Sequence, residues 1–124
     1  YPPENAQLER DIVSGGGAVA TLRAPGEPVD NAALVARDRL QVEYSVAVVL
    51  VASELGGGAM HAMRFACELG RPRFAVTPPG GSQVEYAWSG NVRALADGAA
   101  PLAFDVSEAL HTLRARIDRF SGPR

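Results

Sequence analysis

The chain has 124 residues, 47% of them hydrophobic, which is enough apolar material for the core of one domain. Its formal net charge of −2 argues against a globally basic nucleic-acid-binding protein, although one face can still be positive. The single cysteine excludes an internal disulfide and fits a reducing compartment, so we expect a cytoplasmic protein. No apolar stretch reaches the length of about 18 residues that spans a membrane, and we expect no membrane partner.

Short apolar runs alternate with helical patterns along the chain. In chain order the predicted elements are a helix at 5–14, a weak strand at 18–22, a helix at 32–44, a strand at 46–51, a helix that ends at Gly70, a strand at 73–77, a helix at 91–97, an edge strand at 102–104 and a helix at 105–120. Strands that alternate with helices form a parallel sheet. The predicted fold class is therefore α/β, a Rossmann-like three-layer parallel sheet with flanking helices.

The domain organisation follows from the same pattern. We expect a single domain over residues 1–124, with a core at 1–104 and a C-terminal helix at 105–120. Three or four strands are few for a doubly wound sheet. We therefore expect the domain to be small or truncated, with further strands upstream or a partner chain over an exposed sheet edge.

The centre of the chain predicts an anion site. Residues 46–51 are six consecutive apolar residues, which favours a strand buried on both faces. Gly56, Gly57 and Gly58 then stand between this strand and the next helix. A strand, a glycine turn and a helix together aim free backbone N–H groups and a positive helix end at an anion. The turn is not a P-loop, because the GK[ST] ending is missing.

Individual side chains carry further expectations. The helix at 32–44 has one apolar stripe, formed by Ala33, Ala36, Leu40 and Tyr44. We expect Cys67 to be a packed thiol and Trp88 to fold back onto the core. Asp105 predicts an N-cap with Glu108 three residues on, as in a capping box. The apolar stripe of that last helix is Val106, Leu110, Leu113, Ile117 and Phe120.

The sequence offers no catalytic constellation. It has no cysteine–histidine or serine–histidine–acid spacing in a supporting context, and one cysteine with two distant histidines cannot build a metal site. We therefore predict a protein that is not an enzyme and that uses no cofactor and no metal.

Six segments in order resemble the DNA-processing protein A family, also called Smf, whose core is a Rossmann-like domain. The first is Tyr1-Pro2-Pro3-Glu4-Asn5, which is similar to that family's YPxEN stretch. The others are Ala36-Arg37-Asp38-Arg39-Leu40 with Ser45 (RRNRL…S), Val48-Val49-Leu50-Val51-Ala52 with Glu54 (VVVVEA), Gly56-Gly57-Gly58-Ala59-Met60-His61-Ala62 (SGSLITA), Glu68-Leu69-Gly70-Arg71 with Phe74-Ala75-Val76 (ELGR…FAVPG), and Ser89-Gly90-Asn91-Val92-Arg93-Ala94-Leu95 with Asp97-Gly98-Ala99 (EGTNRLI…DGA). The resemblance covers roughly residues 1–110.

The chain also departs from the family pattern. The glycine-serine-arginine loop that precedes YPxEN in the family is absent from this sequence. Gly56 and Gly58 replace both serines of SGS, and His61 replaces the threonine of LITA. Ala36 replaces one member of the arginine pair, and Asp38 replaces the asparagine. We expect these changes to weaken or alter an inherited activity, because each lost hydroxyl contact is worth roughly 0.5–1.5 kcal/mol.

The resemblance implies a bacterial mediator that binds single-stranded DNA, loads the RecA recombinase during natural transformation and acts as a homodimer. Carried over to this sequence, Arg37 and Arg39 would contact phosphates of the strand. The backbone N–H groups of Gly56, Gly57 and Gly58 would contact another phosphate, and His61 could reach it from the first helical turn.

Two other functions remain open from the sequence. One is a nucleotide-ligand-binding domain, related to the lonely-guy phosphoribohydrolases of the same fold, although no glutamate follows the glycines before Glu68. It predicts a closed pocket at the glycines. The other is a degenerate protein-interaction module, which predicts an exposed apolar face. Single-strand binding predicts a contiguous positive patch that includes Arg37 and Arg39.

Overall fold

A three-stranded parallel sheet lies at the centre of the computed structural model, which describes residues 3–24, 26–28, 30–79 and 86–118. The helices are α1 (Ala6–Ser14), α2 (Asn31–Glu43), α3 (Ala59–Glu68), α4 (Ser89–Ala96) and α5 (Val106–Ile117). The strands are β1 (Val48–Leu50), β2 (Arg73–Val76) and β3 (Ala100–Leu102), and short 3-10 turns lie at Pro3–Asn5 and Tyr86–Trp88. No helix in these ranges is long and apolar enough to cross a bilayer.

The strand order is β1-β2-β3, and both neighbouring pairs are parallel. Val49 lies opposite Phe74, and Ala75 lies opposite Pro101. The strands run in the same direction because α3 connects β1 to β2 and α4 connects β2 to β3, so each connection returns the chain to the same edge. The predicted α/β class, a small Rossmann-like parallel sheet with flanking helices, is confirmed.

Helices cover the two faces of the sheet with different residues. On one face, Leu50 and Ala75 are buried with Met63 of α3 and Ala94 of α4. On the other face, the buried side chains of Phe74, Val76 and Leu102 pack against Ala109 and Leu113 of α5 and against Trp88. Helix α2 packs on α3, where Val42 contacts Phe65 and Ala66. The expectation that Trp88 folds back onto the core is confirmed, and its ring meets Phe104 edge-on at 5.7 Å.

The central strand is shorter and more exposed than its sequence predicts. Only three residues of the six-residue run are extended, and the exposed fractions of Val46, Val49 and Val51 are 58%, 39% and 65%. Within the described residues β1 has a strand neighbour on one side only, and α5 lies over β3 at the far side of the sheet. The prediction of a strand buried on both faces is therefore wrong.

Two further predictions for the first half are also wrong. Residues 18–22 form no strand, because no described strand pairs with them, and Val19 and Leu22 are each 55% exposed. In α2, Ala36 and Tyr44 of the predicted stripe are exposed, Tyr44 at 86%, whereas Ala33 and Leu40 are only half-buried. The buried residue of α2 is Val42, whose cluster joins Phe65 and Ala66 of α3 and is packed against by Val48 of β1.

The last helix begins as predicted but buries less than its stripe suggests. The Asp105 carboxylate accepts the backbone N–H of Glu108 at 2.9 Å, which confirms the N-cap. Val106 and Leu110 are nevertheless 72% and 47% exposed, because the helix contacts the sheet through Ala109 and Leu113. Phe120, the last member of the stripe, lies outside the described residues.

The prediction of a packed Cys67 thiol is wrong. Cys67 is exposed on α3, whereas Met63 and Ala66 are buried. The helix turns by about 100° per residue, so Cys67 lies past the edge of the stripe that Met63 and Ala66 present to the core. The thiol instead lines an open groove between α3, α4 and β2.

Candidate functional site

Residues 56–58, the glycine turn, follow the carboxyl end of β1 and lead into α3. The Gly57 N–H donates to the Glu54 carbonyl at 3.0 Å, and the Met60 N–H donates to the Gly57 carbonyl at 3.0 Å. In contrast, the backbone N–H groups of Gly58 and Ala59 donate to no acceptor within the described residues. Free N–H groups at the start of a helix carry partial positive charge, so this end of α3 is suited to an anion.

Only one of the three glycines is closely packed. A Cβ atom at Gly57 would lie 2.5 Å from Ser53 Oγ and 3.1 Å from the Glu54 carbonyl. A Cβ atom at Gly56 or Gly58 would meet nothing within 4 Å, and neither residue has a positive φ. The fold therefore does not need glycine at these two positions, and the outer surface of the turn is open to a ligand.

The buried Asn91 side chain holds the base of the glycine turn. Its Oδ1 accepts the backbone N–H of Ser53 at 3.0 Å, and its Nδ2 donates to the carbonyls of Val51 and Val76 at 2.9 Å each. Asn91 is 0% exposed. These bonds join the carboxyl ends of β1 and β2 to the first turn of α4, so the segment that leads into the turn has a fixed position. From the sequence alone, Asn91 is only one residue of a family motif, and its structural role is not predicted.

The beginning of α4 packs closely on the same segment. The Gly90 N–H donates to the Ser53 carbonyl at 2.8 Å, and a Cβ atom at Gly90 would lie 2.6 Å from that oxygen. Ser89 Oγ accepts the Leu55 N–H at 2.9 Å and donates to the Tyr86 carbonyl at 2.7 Å. Residues 53–55 therefore have hydrogen-bonded neighbours on α4, which the linear sequence does not reveal.

His61 lies in the first turn of α3, three residues after Gly58. Its backbone N–H donates to the Gly58 carbonyl at 3.0 Å. The half-buried ring makes no hydrogen bond with the described residues. The structure therefore places His61 beside the glycine turn. The sequence predicts this, because both lie at the beginning of the same helix.

Arg37 and Arg39 lie on different sides of α2, because two residues along a helix are about 200° apart. The Arg37 guanidinium lies 3.1 Å from the Asp38 carboxylate and lines a groove of about 170 Å³ beside residues 20–23. Arg39 instead meets Glu43 at 3.0 Å and Glu68 at 3.9 Å. Neither arginine is hydrogen-bonded to the glycine turn.

Arg39 also packs against an aromatic ring. Its guanidinium lies 5.5 Å from the ring centroid of Phe65, and Arg64 lies 5.0 Å from the same ring. Cations at this distance from an aromatic face are attracted to it. Arg39 thus stabilises the packing of α2 on α3, whereas Arg37 has only its sequence neighbour Asp38 as an ion-pair partner in the described chain.

Asp30 caps α2 and bonds to Ala33 and Arg23, two residues that line the groove beside Arg37. Its Oδ1 accepts the backbone N–H of Ala33 at 2.7 Å, and Arg23 lies 3.1 Å from its Oδ2. The pKa of Asp30 is held below its ordinary value, first by the hydrogen bond from Ala33 and then by the charge of Arg23.

One protein family matches the chain over most of its length. The model of the family described as DNA recombination-mediator protein A matches residues 1–114. The match includes the glycine turn, both arginines of α2 and the α4 segment that carries Asn91. A search among curated proteins finds no match to the chain.

Proposed function

Because the chain belongs to the DNA recombination-mediator protein A family, we propose that it binds single-stranded DNA through the glycine turn, with Arg37 and Arg39 as further phosphate contacts. The observation that carries the proposal is the open turn. Among the described residues, Gly58 and Ala59 present N–H groups without acceptors, and no side chain fills the space outside Gly56 and Gly58. A phosphate diester is an anion that such a helix start recognises through backbone donors.

The two arginines support the proposal to different degrees. Arg37 is 57% exposed and has one ion-pair partner in the described chain, Asp38, whose side chain is 15% exposed, so a phosphate competes with a single carboxylate. Arg39 is engaged by two carboxylates and a ring, so a phosphate would have to displace those partners. We therefore expect Arg37 to contribute more to binding than Arg39.

The wider role follows from the same family. We propose that the chain acts in the bacterial cytoplasm as a homodimer that delivers single-stranded DNA to the RecA recombinase, and that it does so without a cofactor or a catalytic step. Static light scattering tests the homodimer. Stimulation of the DNA-dependent ATP hydrolysis of RecA tests the delivery, with the protein omitted as the control.

The direct test of binding is the fluorescence anisotropy of a labelled oligo-dT at two salt concentrations. We expect binding that weakens with salt by a slope of roughly −0.7 per phosphate neutralised. Arg37→Ala should lower the affinity and make the slope shallower by about one such unit. Arg116→Ala removes the same charge from exposed α5 and should leave both quantities unchanged.

A second variant tests the turn itself. Gly58→Asp places a carboxylate in open space at a helix start, where it suits the fold but repels phosphate. Gly58→Asn has the same shape without the charge. We expect much weaker oligo-dT binding in the first variant and near-normal binding in the second. If the wild type binds no oligo-dT at low salt, the proposal fails, and binding of free nucleotides instead would favour the nucleotide-ligand reading.

A further inference from the structure

Two open grooves meet at the amino end of β2. The first, of about 250 Å³, lies between α3 and α4 and is lined by Arg64, Cys67 and Arg73 among others. The second, of about 320 Å³, is lined by Cys67, Arg71 and Arg73. Because they share Cys67 and Arg73, we treat them as one surface, the arginine groove. Each part has room for several water molecules of roughly 30 Å³ and hence for a phosphate group.

Arg71 and Arg73 of the arginine groove lie at the amino ends of the strands, whereas the glycine turn lies at their carboxyl ends. The groove lies where β2 begins, whereas the turn follows the end of β1, and the two strands are parallel. Helix α3 runs from one to the other, and its ten residues span about 15 Å at 1.5 Å per residue. The arginines of the groove thus lie apart from the turn, although Met60 in the first turn of α3 also lines the groove.

Two guanidinium groups in the groove are held by carbonyl oxygens. Arg71 Nη2 donates to the Glu43 carbonyl at 2.9 Å, and Arg73 Nη2 donates to the Asp97 carbonyl at 2.9 Å. Within the described chain neither side chain makes an ion pair with a carboxylate. A carbonyl fixes the guanidinium without cancelling its charge. In addition, Arg71 Nε is buried and has no hydrogen-bond partner in this part of the chain.

The nearby carboxylates already have arginine partners. Glu68 lies 3.7 Å from Arg64 and 3.9 Å from Arg39, and Asp97 lies 2.7 Å from Arg93. Arg71 and Arg73 therefore have no carboxylate within ion-pair distance in the described chain, although Asp97 also lines the groove. Guanidinium forks match the geometry of phosphate oxygens, so the groove is suited to a phosphate-bearing ligand.

We propose that the arginine groove binds a phosphate of single-stranded nucleic acid as a second contact, distinct from the glycine turn. This inference rests on the proposed function, because it takes the same strand as the ligand. A strand that reaches both surfaces runs along α3, and long oligonucleotides then bind more tightly than short ones because the second contact is intramolecular.

Cys67 is a built-in reporter for the test, because it is the only cysteine and lies in the groove. Its labelling rate is measured with the anionic disulfide reagent DTNB and with neutral iodoacetamide. In the wild type we expect oligo-dT to slow both reactions. We also expect Arg73→Gln to lower the ratio of the DTNB rate to the iodoacetamide rate and to weaken oligo-dT binding by about tenfold, the scale of one charge-assisted hydrogen bond.

Two controls separate this inference from the proposed function. Gly58→Asp disables the glycine turn and should leave protection of Cys67 by a saturating oligo-dT concentration in place. Arg116→Gln removes a distant charge and should change neither labelling nor binding. Protection of Cys67 by oligo-dT is measured in the wild type. The groove contact can therefore be tested even if Arg73→Gln does not fold.

The outcomes are distinct. If oligo-dT binds by anisotropy but leaves the labelling of Cys67 unchanged, the groove contact is overturned and the proposed function stands. If inorganic phosphate protects Cys67 and oligo-dT does not, the groove takes a small phosphate ligand and the strand contact is overturned. Protection by oligo-dT that is lost in Arg73→Gln supports the groove contact.

Discussion

Asn91 accepts the backbone N–H of Ser53 at 3.0 Å and so joins two segments that lie 38 residues apart in the sequence. The same side chain donates to carbonyls at the ends of β1 and β2. One fully buried amide therefore connects both strands of the central unit with α4. The glycine turn depends on this connection, because Ser53 lies only three residues before it.

We predict that Asn91→Ala destabilises the fold by at least about 2 kcal/mol, because it leaves buried backbone groups without partners. Urea unfolding followed by Trp88 fluorescence measures the loss. Asn91→Asp should be at least as damaging despite its equal size, since a carboxylate would face the carbonyls of Val51 and Val76. Asn31→Ala, at the exposed start of α2, is the matched control and should change the stability little. Near-wild-type stability of Asn91→Ala would contradict the assigned role.

Gly90 and Gly56 should respond differently to the same added methyl group. At Gly90 a Cβ atom would lie 2.6 Å and 2.8 Å from two backbone oxygens, which cannot move away easily. Gly90→Ala should therefore cost about 1–3 kcal/mol, as overpacking typically does. Gly56→Ala enters open space without a positive φ and should be neutral or stabilising by up to about 1 kcal/mol. Thermal unfolding of the two variants side by side decides the point, and equal effects would show that the contact at Gly90 is not as tight as described.

The stabilising effect of Asp30 should depend on pH. Its pKa is lowered in the folded chain, so its contribution is fully present above the ordinary value of 3.8 and is lost as the pH falls through the lowered value. The stability difference between the wild type and Asp30→Ala should be constant near neutral pH and shrink in this acidic range. Asp30→Asn keeps a capping oxygen but does not titrate, so its advantage over Asp30→Ala should stay constant with pH. A wild-type advantage that grows on acidification would be incompatible with the lowered pKa.

Restoring a hydroxyl at the glycine turn should strengthen the proposed single-strand binding. Gly58 has φ −56° and ψ −33°, which any residue adopts, and it has open space for a side chain. Gly58→Ser should raise the affinity for oligo-dT by about 2- to 10-fold, the worth of one hydrogen bond. Gly58→Ala adds a side chain of similar size without the hydroxyl and should not raise it. Equal affinities of the serine and alanine variants would mean that no phosphate lies beside this position.

Much of the fold was predictable because its signals are local. The apolar runs predicted the positions of β1 and β2, and the glycines predicted the turn. Asp105 with Glu108 predicted the start of α5. The boundaries of α1 and α2 were also close, because caps and glycines lie next to the helices they end. The same local signals failed at residues 18–22, where an apolar run has no strand to pair with.

The sequence by itself determined the family, the order of the elements and the glycine turn with His61 beside it, because each depends on residues that are neighbours in the chain. Only the tertiary structure decided the exposure of β1, the separation of Arg37 from Arg39, the role of Asn91 and the convergence of Arg71 and Arg73 beside Cys67. These features depend on which segments meet in space. Arg71 and Glu43 are 28 residues apart, and Arg73 and Asp97 are 24 apart, so their contacts exist only once α2, α4 and β2 have packed together.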